Sequence, residues 1–318
     1  MLSISPGGRD RPRPNPRPLD SPRPLRSSSH MKRLLLPGRL GRSGRGSFRP
    51  LVAALAAGLL CVACATSPLG RSQLKLFSDD QLAGMGRQSF DQLKEEKEIS
   101  PDAARNAYVS CVATALIEEL PAPWNSGWEV VIFQDDSANA FAVPGRRIGV
   151  HSGILEVART PDQLAAILGH EISHVLAHHG NERMSQVLAA QAGLVAASAM
   201  TDSSTPAGRA TLAALGLGAQ FGVLLPFSRT HESEADLMGL DLMAQAGFDP
   251  EQAVTLWYNM AEASGGQPPE WMSSHPAHGS RIQELEARMP RALRLFDAAR
   301  QSGRDPNCAR PADTAEPV

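Results

Sequence analysis

His170, Glu171 and His174 stand within Pro161 to Gly180, PDQLAAILGHEISHVLAHHG, as an H-E-x-x-H pattern. On a helix, positions four apart lie about 40° from one another around the axis, so both imidazoles leave one face and can share one metal ion. Glu171 sits beside them, placed to hold and deprotonate a water at that ion. Two histidines and a carboxylate on a buried helix are costly unless paired or metal-bound. These residue types at this spacing point to hydrolysis by a metal-activated water.

The helix that must carry them is signalled locally. Thr160 with Gln163 reads as a capping box, Pro161 falls at the first helical position and Gly180 is a natural stop. Leu164, Ile167, Leu168, Val175 and Leu176 form an apolar stripe of about 3.6 periodicity, which predicts burial. A catalytic zinc site also needs a third protein ligand and an open position. A histidine ten residues after His170 would supply the ligand, but Gly180 stands there. His178 and His179 lie too far along a straight helix for three-point coordination and read as solvated helix-end histidines. The third ligand is expected in Ser228-Arg229-Thr230-His231-Glu232-Ser233-Glu234-Ala235-Asp236. Glu232 and Asp236 share a helix face there, whereas Glu234 points elsewhere. Glu232 is the expected ligand, with Asp236 accepting a hydrogen bond from a ligating imidazole. A solvated acidic helix start is the alternative for this pair.

Upstream, Phe77 to Leu120 reads as two helices, opened by Ser78-Asp79-Asp80-Gln81 and Ser100-Pro101-Asp102. Trp128 to Phe133 is a strand. Asn139 to Val143 and Arg147 to His151 form a hairpin around Pro144-Gly145. A strand with one free edge beside the metal helix can take an extended peptide by main-chain pairing, so Asn139, Ala140 and Phe141 are the candidate substrate edge; an ordinary core hairpin is the alternative. Asn181 to Met200 and Thr211 to Leu225 are Ala- and Leu-rich runs, each uncharged for too short a stretch to favour a bilayer span, and read as a buried helical hairpin.

The net charge of −2 conceals an asymmetry: 12 basic and 2 acidic residues precede Cys64, leaving 19 basic against 31 acidic residues beyond it, a balance of about −12. That body is no nucleic-acid binder. Residues 1–30 are rich in Arg, Pro and Ser without periodicity, and Met31 is an alternative start, because Met31-Lys32-Arg33 opens a basic region leading into the apolar run Leu51 to Leu60. Cys64 ends that region as in a bacterial lipoprotein signal, which predicts lipidation of Cys64; ordinary signal cleavage and an uncleaved anchor are the alternatives. Cys111 and Cys308 are then candidates for a disulfide in an oxidising compartment, against a buried Cys111 and a free Cys308. The expected organisation is a leader and signal over 1–63, a linker over 64–76, a metallopeptidase domain over 77–302 and a tail over 303–318.

H-E-x-x-H followed after a helical hairpin by E-x-x-x-D, with Ser-Arg just before it, resembles the zinc metallopeptidase family that includes bacterial HtpX, BepA and LoiP and the CAAX prenyl endopeptidase. The likeness runs from about Gly70 to about Met289 and is nearest the periplasmic lipoprotein branch. Asn139-Ala140-Phe141 with Pro144-Gly145, and Ser274-His275-Pro276 with Arg281, match further family segments; Arg146 stands where a second Gly is common. The resemblance implies an α+β fold, a mainly helical zincin-like domain with a small mixed β-sheet beside the H-E-x-x-H helix. It implies one Zn²⁺ per chain and endopeptidase action on unfolded or misassembled envelope proteins, bound in extended conformation. It gives His275, accompanied by Arg281, a place at the active site: as stabiliser of the oxyanion, with His278 its rival, or as a group that occupies the open metal position and holds the enzyme latent. The expected location is the bacterial periplasm, on the outer membrane through a lipid anchor. A periplasmic chaperone or assembly factor with a latent or structural zinc site is the functional alternative. No oligomeric state is specified.

Overall fold

The computed structural model describes residues 64–202, 204–211, 227–263, 270–276 and 279–311, all within the compact unit Val52–Val318. The leader and signal over 1–63, the apolar run after Thr211, His278 and the last seven residues of the tail lie outside the described residues.

The first helix, α1 (Asp79–Glu96), starts at a full capping box: Ser78 Oγ accepts the Gln81 N–H at 3.2 Å and Gln81 Oε1 accepts the Ser78 N–H at 3.0 Å. Helix α2 (Ala103–Glu118) starts at Asp102, whose carboxylate accepts the amides of Ala104 and Arg105. Three strands make a mixed sheet beside these helices. Strand β5 (Arg147–His151) is central, parallel to β3 (Glu129–Phe133) and antiparallel to β4 (Ala140–Val143). The β4–β5 turn needs two consecutive residues in the left-handed region, Gly145 (φ 94°) and Arg146 (φ 62°). Arg146 adopts a conformation that costs a side chain energy, and its guanidinium donates to the Ser126 carbonyl at 2.9 Å and lies over Trp124.

Helix α3 (Pro161–Leu176) runs through the centre of the protein, with twelve of its sixteen residues buried, so it is enclosed on all sides where the sequence pattern predicted one stripe. Thr160 Oγ1 accepts the Gln163 N–H as expected, but Gln163 reaches back to the Arg159 amide and not to that of Thr160. The helix ends earlier than Gly180: His178 turns left-handed (φ 55°), and α4 (His179–Met200) begins at once. The far half of α4 is exposed, Val195 at 69% and Met200 at 88%, in place of the expected buried arm of a hairpin. Among the described residues, no helix is long and apolar enough to cross a membrane.

Helices α5 (Arg229–Gln245), α6 (Glu251–Ala263), α7 (Glu270–Ser274) and α8 (Gly279–Gln301) complete the described order. Helix α5 crosses α3 so closely that a Cβ on Gly239 would lie 2.7 Å from the His170 amide nitrogen, so only glycine allows this approach. Leu164, Ile167, Leu168 and Ile172 of α3 pack with Leu240 and Met243 of α5, Val112 and Leu116 of α2, and Ile148 and Val150 of β5 in one core.

Residues 64–76, expected as a linker, form an arm folded onto this core. Strand β1 (Cys64–Thr66) pairs antiparallel with β2 (Ser72–Leu74), and Gln73 Nε2 donates to the Ala177 carbonyl at 2.6 Å, at the end of α3. At the other end of the chain, Cys308 is buried and disulfide-bonded to Cys111 of α2 with 5.6 Å between Cα atoms, so the start of the expected tail is fixed to the domain.

Candidate metal centre

One turn apart on α3, His170 and His174 present their Nε2 atoms 2.9 Å from each other. The Glu232 carboxylate, delivered by the first turn of α5, lies 3.5 Å from each of them. His275, just past the end of α7, brings Nδ1 to 3.1 Å from Glu232 and 3.2 Å from His170 Nε2. One donor atom from each of these four buried residues lies within 4.8 Å of the others.

Hydrogen-bond partners point to the nitrogen that each histidine turns inward. His170 Nδ1 faces Asp236 Oδ1 at 2.9 Å, an acceptor that takes the Nδ1 proton, so Nε2 is the nitrogen His170 turns to a metal ion. His174 Nδ1 faces His179 Nδ1 at 2.9 Å, and His179 Nε2 in turn donates to Glu234 at 3.2 Å. The ring proton of His174 therefore points outward too, and two imidazole nitrogens and a carboxylate converge on one small volume. Such a set is repulsive unless a cation lies within it. Burial opposes charge on His170, but hydrogen bonds with Asp236 and Glu232 outweigh it and raise its pKa to about 9, so a cation that takes Nε2 must displace a proton there. Burial likewise works against ionised Glu232, yet His170 and His275 hold its carboxyl well below the usual carboxylate range. His174 is pushed well down by burial and then by the neighbouring histidines. Two imidazoles and one carboxylate are a fitting donor set for zinc, whose catalytic sites take three protein ligands and keep a fourth position open.

Glu171 lies alongside with both oxygens engaged. Oε1 accepts the Trp271 indole N–H at 2.7 Å and lies 3.3 Å from His275 Nε2, while Oε2 accepts the Ala142 N–H at 3.3 Å. That last contact shows which edge of β4 faces the centre. Asn139 accepts the His151 amide and pairs with β5; its side chain donates to Glu270, and Ala138 accepts the Trp271 amide, so α7 lies over the start of β4. Ala140 is buried in the core and Phe141 stacks on Phe133. Of the three candidate edge residues, Asn139 thus spends its backbone carbonyl on β5, while Ala140 and Phe141 turn their side chains to the protein. Beyond Ala142 a groove of about 590 Å³ continues between Leu82, Trp124, Val143, Arg146, His174 and Phe227.

Arg281, expected among the reacting groups, lies behind them. Its guanidinium grips Asp236 with two hydrogen bonds of 2.6 Å, approaches Glu232 at 3.0 Å and donates to the carbonyls of His275 and Pro276. At 1% exposure it offers no surface to a substrate, and its contacts hold the two carboxylates. His275, expected to face the site as an oxyanion donor or as a latency group, lies inside the ligand cluster itself. His179 is fully buried, contrary to its reading as a solvated helix end, because the turn at His178 swings it back under His174. Trp271 and Phe227, whose ring centroid lies 4.2 Å from that of His174, were not singled out by the sequence. Their local sequence carries no signal.

The sequence profile of Peptidase family M48 matches residues 103–289. The mitochondrial metalloendopeptidase OMA1 of Schizosaccharomyces pombe is 40% identical over 167 residues, covering 52% of this chain and 48% of its own. The metalloendopeptidase OMA1 of Bos taurus is 32% identical over 256 residues, 74% of this chain and 48% of its own. The beta-barrel assembly-enhancing protease of Yersinia pestis is 28% identical over 226 residues, 69% of this chain and 46% of its own. The chain spans about half the length of these curated relatives. Similarity is therefore not concentrated in the periplasmic lipoprotein branch, as the sequence motifs suggested, but extends to OMA1 proteins at higher identity.

Proposed function

Since this chain belongs to peptidase family M48, we propose that it is a zinc-dependent endopeptidase that cleaves polypeptides held in extended conformation. The observation that carries the reading is the convergence of two imidazole nitrogens and the Glu232 carboxylate from separate helices, with Glu171 beside them. His170, His174 and Glu232 would hold the metal. Bound there, Zn²⁺ would supply Lewis acidity toward a peptide carbonyl and bring the pKa of a water toward neutrality.

The chain's own groups supply the rest. The outward edge of β4, which borders the centre at Ala142, pairs with the substrate backbone. Glu171 takes the proton of the attacking water and returns it to the leaving amine. Asp236 fixes the tautomer of His170, and Arg281 keeps Asp236 and Glu232 ionised and in place. The basic leader before the apolar run, Cys64 behind it and the Cys111–Cys308 disulfide support export to a cell envelope, lipid anchoring and unfolded envelope proteins as substrates. The test is cleavage of unfolded casein. It should stop on chelation and return with stoichiometric Zn²⁺; a zinc-loaded chain that leaves casein intact, even as the unlatched variant described next, would refute the reading.

One observation favours latency over oxyanion stabilisation for His275: it completes the four-residue cluster and, with Trp271, occupies the base. His275→Ala should therefore raise casein cleavage by about 3- to 30-fold, as expected when a closed population is released. A loss of about a hundredfold at full zinc content would instead assign His275 to the oxyanion.

A further inference from the structure

We infer that Arg71, on the arm over residues 64–76, is a positioning residue of the metal centre that orients His174 through two limbs meeting at His179. The inference rests on the reading of His174 as a ligand. The guanidinium spans two carboxylates: Nη1 and Nη2 donate to Glu182 at 2.7 Å each, and Nε and Nη2 donate to Glu234 at 3.2 and 3.1 Å. Along the first limb Glu234 accepts His179 Nε2–H, which leaves His179 Nδ1 as acceptor for the His174 Nδ1 proton. Every donor in that line has one direction, so His174 is held with its Nε2 bare toward the metal position. Along the second limb Glu182 accepts from His231 Nε2 at 3.1 Å, and the His231 ring stacks on His179 with 4.5 Å between centroids. One guanidinium thus fixes both the hydrogen bond and the ring plane of the residue behind His174.

The arm adds its own backbone to this arrangement. The Leu69 amide donates to Glu234 Oε1 at 3.3 Å, and Gln73 holds β2 to the Ala177 carbonyl. Glu182 and Glu234 are almost fully buried, so without Arg71 two carboxylates would lose their shared cation. His179 would then be free to turn, and His174 to take its other tautomer. The metal centre is completed by the stretch directly after Cys64, some hundred residues before the ligands begin.

The experiment measures zinc affinity of the full chain by chelator competition, together with the visible spectrum of the Co²⁺-substituted protein, which reports ligand geometry. Groups behind a metal ligand are worth about 10- to 100-fold in affinity, so Arg71→Ala should bind zinc that much more weakly with an altered Co²⁺ spectrum, and Arg71→Lys should recover part of the loss. Lys75→Ala, on the same arm but paired with exposed Asp79, should change neither. Arg71→Ala affinity within twofold of wild type overturns the inference. Should Arg71→Ala fail to fold, Glu234→Leu decides, since it removes the acceptor for His179 Nε2–H: about tenfold weaker binding supports the line through His179, and unchanged binding overturns it. A wild-type chain that takes up no zinc overturns the metal reading itself, and this inference with it.

Discussion

Glu171→Gln is expected to lower peptide cleavage by about two to four orders of magnitude, the range a positioned general base contributes, with zinc content unchanged. Glutamine keeps the shape of the side chain and an oxygen for the Trp271 indole N–H, so the helix and the cover from α7 are preserved. Its amide group would face the Ala142 N–H, a long contact at 3.3 Å whose loss costs about 1 kcal/mol or less. What disappears is the ability to accept a proton from water. Metal analysis beside a casein assay checks both halves, and a variant that retains more than about a tenth of wild-type turnover would remove Glu171 from the role of base.

Glu232→Ala is expected to weaken zinc binding by about 10²- to 10³-fold. Full sets of four ligands bind zinc with about 10–16 kcal/mol, roughly 2.5–4 kcal/mol for each ligand. The carboxylate is fully buried and also receives Arg281 and His275, so its removal leaves a buried guanidinium with Asp236 as the carboxylate it still bonds. Cleavage should fall in step with occupancy and recover in part at high zinc. Retention of stoichiometric zinc through dialysis against a chelator that strips no metal from wild type would show that the third ligand lies elsewhere.

Much of this site is legible in the sequence because its signals are local. Thr160, Pro161 and the apolar stripe announce α3, and the spacing of His170 with His174 and of Glu232 with Asp236 survives folding because each pair rides one rigid helix. His275 and Arg281 carried no local signal and came into view only through family likeness. The remainder was hidden for a definite reason. Arg71 and Glu234 are 163 residues apart, and Trp271 reaches Glu171 across 100, so no window of periodicity contains both partners. Spacing along a straight helix makes His179 a solvated helix end; a single left-handed residue, His178, reverses the direction of the chain and buries it. The parallel pairing of β3 with β5 skips the hairpin strand between them and is likewise a tertiary choice.

Cys111 and Cys308 close a covalent ring around all four candidate ligands, which lie between residues 170 and 275 inside the 197-residue separation of the cysteines. One nick anywhere along that circuit opens it but detaches nothing. A protease that bit its own backbone there would still migrate as a single species without reductant, and would come apart into two pieces only once a thiol reached the bond.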